Sequence, residues 1–233
     1  MRILVTRPLE DGTEIARLLA ARGHQALLAP LLEPRFQQGP LLEEMDGLLD
    51  NVQAILATSA NGIRALRRRT ALRDLPIYAV GPQTSDEARQ AGFTDVRSAD
   101  GDAKALAEAT RGWAPPGATL MHVCAEDAPG TLRDQLGSRG FTVRRCALYT
   151  IEPATHLPPD AQAALRGRTL DAAMFFSPRT ARIFVSLTDG LPTDGLIALC
   201  ISPATAQALT PHNFADIRVA AQPNQTAILA LTE

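Results

Sequence analysis

The sequence predicts a doubly wound α/β protein built from two parallel-sheet domains of similar topology, and three observations carry the prediction. A strand, helix, strand pattern occurs twice, with a glycine at the same place in each copy. Two further strand-to-helix junctions also occur twice, in the same order. The strands are dense enough in apolar residues to be buried on both faces of a sheet.

The first copy opens with an apolar run over residues 3–6. A helix follows over residues 12–22, with Ile15, Ala16, Leu18 and Leu19 in phase, until Gly23 ends it and a strand over residues 25–29 stops at Pro30. The second copy has a strand over residues 119–124 and a helix over residues 130–139, with Leu132 and Leu136 in phase. Gly140-Phe141 then turns into a strand over residues 142–149. Superposing Gly23 on Gly140 aligns both copies without a gap.

The next element is Ala54-Ile55-Leu56-Ala57-Thr58-Ser59, opening a helix through Asn61, Ile63 and Leu66. Its partner is Ala173-Met174-Phe175-Phe176-Ser177-Pro178, leading to Thr180 and Phe184. Serine at an N-cap with proline after it is a strong helix start. The third element runs Ile77-Tyr78-Ala79-Val80-Gly81-Pro82-Gln83-Thr84 and on to the strand Asp95-Val96. Its partner, Ala198-Leu199-Cys200-Ile201-Ser202-Pro203-Ala204-Thr205, continues to Phe214 and Ile217. Ala114-Pro115-Pro116-Gly117, Leu157-Pro158-Pro159-Asp160 and Leu32-Glu33-Pro34 read as loops. The repeat alone suggests a boundary near Trp113. It equally allows a chain that leaves one domain after its first pattern, builds the other and returns.

In parallel sheets ligands bind beyond the carboxyl ends of the strands, where the next helix presents free N–H groups and the positive end of its dipole. Ser59, Thr84, Ser177 and Thr205 are expected at such junctions, where a hydroxyl either caps its own helix or donates to a ligand oxygen. Four such positions in duplicated contexts favour a shared anion-accepting cleft. Arg7, in Arg7-Pro8 after the first strand, either forks onto a ligand carboxylate or pairs with Glu10 or Asp11.

Several chemistries lack their parts. There is no GxGxxG after the first strand, no GxxxxGK[ST] and no GxSxG. Cys124, Cys146 and Cys200 are odd in number and far apart, and read as buried small apolar residues. His24, His122, His156 and His212 have no metal-ligand spacing, so no metal is expected. With 233 residues, 45% of them hydrophobic, the chain has ample material for a packed core. Its net charge of -2 supplies no field for nucleic acid or an anionic membrane. Arg67-Arg68-Arg69, with Arg64 and Arg73, reads as a solvated helix face, since aromatic residues are only 4% and none interleaves with it. No signal-peptide pattern precedes the first strand and no apolar run is long enough to span a bilayer, so the expectation is a cytoplasmic protein. No exposed apolar stripe calls for a partner, so the expectation is a monomer.

Taken in order, Val5-Thr6-Arg7-Pro8, Thr58-Ser59-Ala60-Asn61-Gly62, Ala79-Val80-Gly81 through Thr84, Phe176-Ser177-Pro178 and Ile201-Ser202-Pro203 through Thr205 make the chain resemble the bacterial uroporphyrinogen-III synthases. The resemblance runs from Ile3 to Leu231. It implies a lyase that closes linear hydroxymethylbilane into uroporphyrinogen III, with inversion of ring D and loss of water, and without a cofactor. It implies a discontinuous first domain of residues 1–33 plus 154–233 and a second of residues 37–148. Crossing strands near residues 33–36 and 149–153 would act as a hinge beside the ligand cleft.

The same resemblance implies that Tyr149 donates a hydrogen bond to the leaving hydroxyl, with hinge packing as its competing role. Thr84 and Thr205 would face the cleft, while Ser59 and Ser177, with Asn61 and Arg7, would hold substrate carboxylates. The family often has a glycine after the strand at residues 119–123, where this chain reads Cys124-Ala125-Glu126-Asp127. Without that glycine, the sequence leaves open whether the backbone there approaches a ligand closely. The alternative is a non-catalytic two-domain module that binds a carboxylated small molecule.

Overall fold

A computed structural model of the chain describes residues 1–38 and 47–233. The chain divides into two compact units, residues 1–33 with 152–233, and residues 34–151. Unit 1 opens with β1 (Arg2–Val5), α1 (Leu9–Ala20) and β2 (Gln25–Leu28), and β3 (Leu32–Phe36) carries the chain out of it. Unit 2 continues as β4 (Ala54–Ala57), α2 (Ala60–Arg67), β5 (Ile77–Ala79), α3 (Pro82–Gln90) and β6 (Val96–Ser98). It then adds α4 (Ala103–Trp113), β7 (Thr119–Ala125), α5 (Thr131–Gly137) and β8 (Thr142–Pro153). The return to unit 1 supplies α6 (Pro159–Arg166), β9 (Ala172–Phe175), α7 (Pro178–Leu187), β10 (Ile197–Cys200), α8 (Pro203–Gln207), β11 (Asp216–Val219) and α9 (Gln225–Ala230).

Unit 1 holds a five-stranded parallel sheet in the order β11-β10-β9-β1-β2. Unit 2 holds a six-stranded sheet in the order β3-β8-β7-β4-β5-β6, parallel from β8 to β6. The two orders are the same doubly wound plan. In unit 1 the chain winds one way from β1 to β2 and the other way from β9 to β11. Unit 2 does likewise from β7 to β8 and from β4 to β6. Each sheet therefore reverses between two central strands, β1 beside β9 and β4 beside β7, with Val5 opposite Met174 and Ala57 opposite Val123. Gly23 and Gly140, which end the matching helices, both take the left-handed backbone, with φ of 76° and 85°. Only glycine adopts that conformation freely.

Burial on both faces of the sheet gives each unit two cores. In β1, Leu4 packs with Phe175, Phe184 and Leu165 on one face, while Ile3 and Val5 pack with Ile15, Leu19 and Ile228 on the other. In β4, Ile55 and Ala57 join Ile63 and Leu66, while Ala54 and Leu56 join Tyr78, Leu106 and Leu136. This is the two-residue period of a strand read twice. Among the described residues no helix is long and apolar enough to cross a membrane.

Some local expectations change. Leu157-Pro158-Pro159 starts a helix rather than forming only a loop: Pro158 is the N-cap of α6 and Pro159 its first residue. A proline there gives up only an N–H that has no partner within the helix. Leu32-Glu33-Pro34 belongs to β3, an edge strand, where a missing donor is tolerated. β8 extends four residues past Tyr149 to Pro153. The helices α4 and α9 lie outside the repeated patterns, each capped by a side chain, Asp102 to the Ala105 N–H and Asn224 to the Ala227 N–H. Cys124 and Cys200 are buried, whereas Cys146 is only half-buried.

Two contacts in unit 2 set measurable properties. A Cβ at Gly62 would stand 2.9 Å from the Val123 carbonyl oxygen, so α2 rests on β7 with no room for a methyl group. Gly62→Ala is expected to destabilise the chain by about 1–3 kcal/mol in urea unfolding, the usual cost of overpacking. An unchanged midpoint would refute that contact. His122 on β7 is 4% exposed, with its Nε2 3.1 Å from Thr58 Oγ1. Burial first, and the Arg145 charge second, push its pKa down to about 4 from 6.5. The folded chain therefore favours neutral imidazole. That contribution is complete above pH 6.5 and is lost as pH falls toward about 4, worth about 3 kcal/mol in all. His122→Leu is expected to flatten the fall in unfolding free energy between those pH values, and an unaltered slope would contradict the assignment.

Candidate functional site

Six of the seven site residues expected from the sequence follow the carboxyl end of a strand, where parallel sheets take ligands, and the seventh, Tyr149, lies within β8 opposite Ala125 at the end of β7. In unit 1, Arg7 follows β1, Ser177 follows β9 and Thr205 lies beyond β10, and these three strands are neighbours. In unit 2, Ser59 and Asn61 follow β4, Thr84 lies beyond β5, and Tyr149 is on β8. The structure thus gathers Arg7, Ser177 and Thr205 on unit 1, and Ser59, Asn61, Thr84 and Tyr149 on unit 2.

The four hydroxyls divide into two kinds. Ser59 and Ser177 are N-caps with extended backbones, and their Oγ atoms accept from the Gly62 N–H at 3.2 Å and the Thr180 N–H at 3.1 Å. Ser177 Oγ also lies 2.8 Å from Thr180 Oγ1. Thr84 and Thr205 do not stand at the junction itself, as expected from the sequence, but three residues later, in the first turn of α3 and α8. The caps there are Gly81 and Ser202. Ser202 Oγ accepts from the Thr205 N–H at 3.3 Å and lies 3.0 Å from Thr205 Oγ1. Gly81 has no side chain to play that part. Thr84 is 4% exposed, and its hydroxyl has no partner among the described residues.

Tyr149 reaches its place through an irregularity of the sheet. Cys124 pairs with Ala147, but the next residue, Ala125, pairs with Tyr149, so Leu148 is extra. Regular alternation would send Leu148 and Tyr149 to opposite faces; the bulge puts both in the same core cluster, beside Ile63 and Ala125. The ring packs 6.2 Å from that of Phe36. At the polar end, Tyr149 Oη lies 2.7 Å from Ser59 Oγ. Burial pushes the phenol pKa above its usual value of 10, against the smaller opposing effect of the Ser59 hydrogen bond. The phenol therefore keeps its proton through the neutral range and remains a donor.

Arg7 has one of the local partners allowed by the sequence, Asp11 Oδ2 at 2.5 Å, and its guanidinium lies 4.7 Å above the Phe176 ring. The arginine-rich segment is also more structured than a solvated face. Arg64 is 8% exposed and bonds Glu87 of α3. Arg68 lies 4.0 Å over the Phe36 ring, and Arg73 lies over Phe93 while donating to the Ala91 carbonyl. Sequence reasoning missed the Arg64–Glu87 pair, the cap at Ser202 and the Thr58–His122 contact. Arg64 had a visible signal, as a charge on the apolar stripe of Ala60, Ile63 and Leu66, and so did Ser202, which stands before a proline as Ser177 does. Among the described residues no group of three or more His, Cys, Asp or Glu side chains is placed to hold a metal ion.

The protein-family model described as "Uroporphyrinogen-III synthase HemD" matches residues 13–230. No curated protein matches the sequence significantly. Among solved structures, uroporphyrinogen-III synthetase from Helicobacter pylori is similar over 100% of this chain and 98% of its own, with a TM-score of 0.68 and 18% identity. A mutant uroporphyrinogen III synthase from Thermus thermophilus is similar over 100% of this chain and 97% of its own, with a TM-score of 0.53 and 19% identity. The two structures support the fold, and the family model, spanning nearly the whole sequence, supports the activity. The chain belongs to the uroporphyrinogen-III synthase family.

Proposed function

We propose that Tyr149 and Ser59 assist departure of the terminal hydroxyl when this chain performs its family's reaction, the cyclisation of hydroxymethylbilane to uroporphyrinogen III with inversion of ring D and loss of water. The observation that carries the assignment is the 2.7 Å contact between Tyr149 Oη and Ser59 Oγ. As the carbon–oxygen bond breaks, negative charge grows on the departing oxygen, and a donor held beside it lowers the barrier. Tyr149 is suited to that task because its ring is locked by packing and its burial keeps the phenol protonated. Ser59 is anchored by the Gly62 N–H and gives the phenol a fixed partner. Departure leaves an azafulvene, which the substituted carbon of the last ring attacks to give a spiro intermediate. Fragmentation and reclosure then invert that ring.

The substrate's acetate and propionate groups need anion-accepting contacts. Ser177, Thr205, Thr84 and Asn61 supply them from first helical turns and caps, where N–H groups and the helix dipole favour negative charge. Arg7 takes a carboxylate by sharing its guanidinium with Asp11. Local capture of this kind suits a chain whose net charge is only -2. That charge also argues against nucleic acid as a partner, and the working form we assign is a cytoplasmic monomer.

Tyr149→Phe keeps the ring and removes the donor. It is expected to lower kcat about 10–100-fold with little change in thermal stability, and an unchanged kcat would remove Tyr149 from the mechanism. Ser59→Ala removes a helix cap as well as the partner of the phenol. It is expected to cost about 1 kcal/mol in urea unfolding and to lower kcat less than Tyr149→Phe does. A larger loss than in Tyr149→Phe would reverse the order of importance.

A further inference from the structure

Arg64 is 8% exposed in a helix whose other buried positions are alanine, glycine, isoleucine and leucine. A buried guanidinium is costly unless its donors are used. Here Nε donates to Glu87 Oε2 at 2.8 Å, and Nη1 donates to Asn61 Oδ1 at 3.1 Å. A second cation, Arg67, stands 3.6 Å from the other oxygen of Glu87. Two apolar side chains of similar volume would join α2 to α3 without any charge to desolvate. What they would not do is orient an amide. Arginine has donors and no acceptor, so the atom of Asn61 that faces it must be the oxygen. The amide nitrogen then faces away, and its hydrogens have no partner among the described residues. Asn61 is half-buried, in the first turn of α2 and two residues from Ser59.

We propose that Arg64, itself held by Glu87, is a positioning residue that fixes the Asn61 carboxamide with its Nδ2 hydrogens presented to a substrate carboxylate. The proposal rests on the reading of Asn61 as a substrate contact and adds to it a reason for the buried ion pair. It also gives Asn61 a polarity. Asn61→Asp replaces the donor to substrate with a negative charge while making the partner of Arg64 stronger, so binding and stability should move in opposite directions.

Steady-state kinetics with hydroxymethylbilane, alongside thermal unfolding, test this on the full chain. Asn61→Asp is expected to raise KM about tenfold or more, with kcat changed less than about twofold and Tm not lowered. The double variant Arg64→Met/Glu87→Met leaves no buried charge unpaired, and is expected to raise KM about 3–10-fold with kcat nearly unchanged. Adding Asn61→Ala to that double variant should give the same KM as Asn61→Ala alone, because the pair acts only through the amide. An unchanged KM in Asn61→Asp would overturn both the substrate reading of Asn61 and the proposal. A raised KM in Asn61→Asp with an unchanged KM in the double variant would overturn the positioning role alone, as would additive effects in the combined variant. Should the double variant fail to fold, Arg64→Lys keeps the charge beside Glu87 but loses the fork. It too should raise KM, and a wild-type KM there would refute the proposal.

Discussion

A helix that follows a parallel strand begins with N–H groups that have no partner inside the helix, and the binding surface proposed for this chain is arranged around that unmet demand. Serine answers it at Ser59, Ser177 and Ser202, each accepting from the N–H three residues on. At α3 the cap is Gly81, which has no side chain to offer. The winding reversal in each sheet then determines where the junctions gather. β1, β9 and β10 are neighbours in one unit, and β7, β4 and β5 in the other, so their following segments share one end of each sheet. Anion binding and helix capping draw on the same partial charges, so a chain of net charge -2 can handle a polycarboxylate without a basic surface.

The catalytic assignment depends on a different kind of constraint. A tyrosine on a regular β8 would alternate with its neighbours, but the extra residue at Leu148 puts two consecutive side chains on one face. That buries the Tyr149 ring among apolar neighbours and brings its oxygen to Ser59. Burial raises the phenol pKa, and the same burial excludes water that would compete for the donor. One bulge thus supplies position, protonation state and partner. The close seat of Gly62 against the Val123 carbonyl holds α2, and so the Ser59 cap, near the strand end.

The repeated pattern in the sequence led directly to the sheets because parallel strands buried on both faces are written in unbroken apolar runs, and because Gly23 and Gly140 mark turns that require a left-handed backbone. Ser177 was legible for a local reason too, a serine before a proline at a helix start. What lay beyond the sequence was long-range. Nothing in Ala147-Leu148-Tyr149 signals a bulge, since the register shift is set by pairing with Cys124 and Ala125. The arginine-rich segment looked like a solvated face because its partners, Glu87, Phe36 and the Ala91 carbonyl, are distant in the chain. Thr84 and Thr205 fell three residues past the caps because glycine and serine compete with threonine for the N-cap, and only the backbone shows which residue wins.

The most direct test of the account is the isomer formed when the protein meets freshly generated hydroxymethylbilane. The account predicts uroporphyrinogen III as the product, because the chain must hold the curled substrate while ring D inverts. Formation of the type I isomer alone, the outcome of unassisted closure, would contradict it.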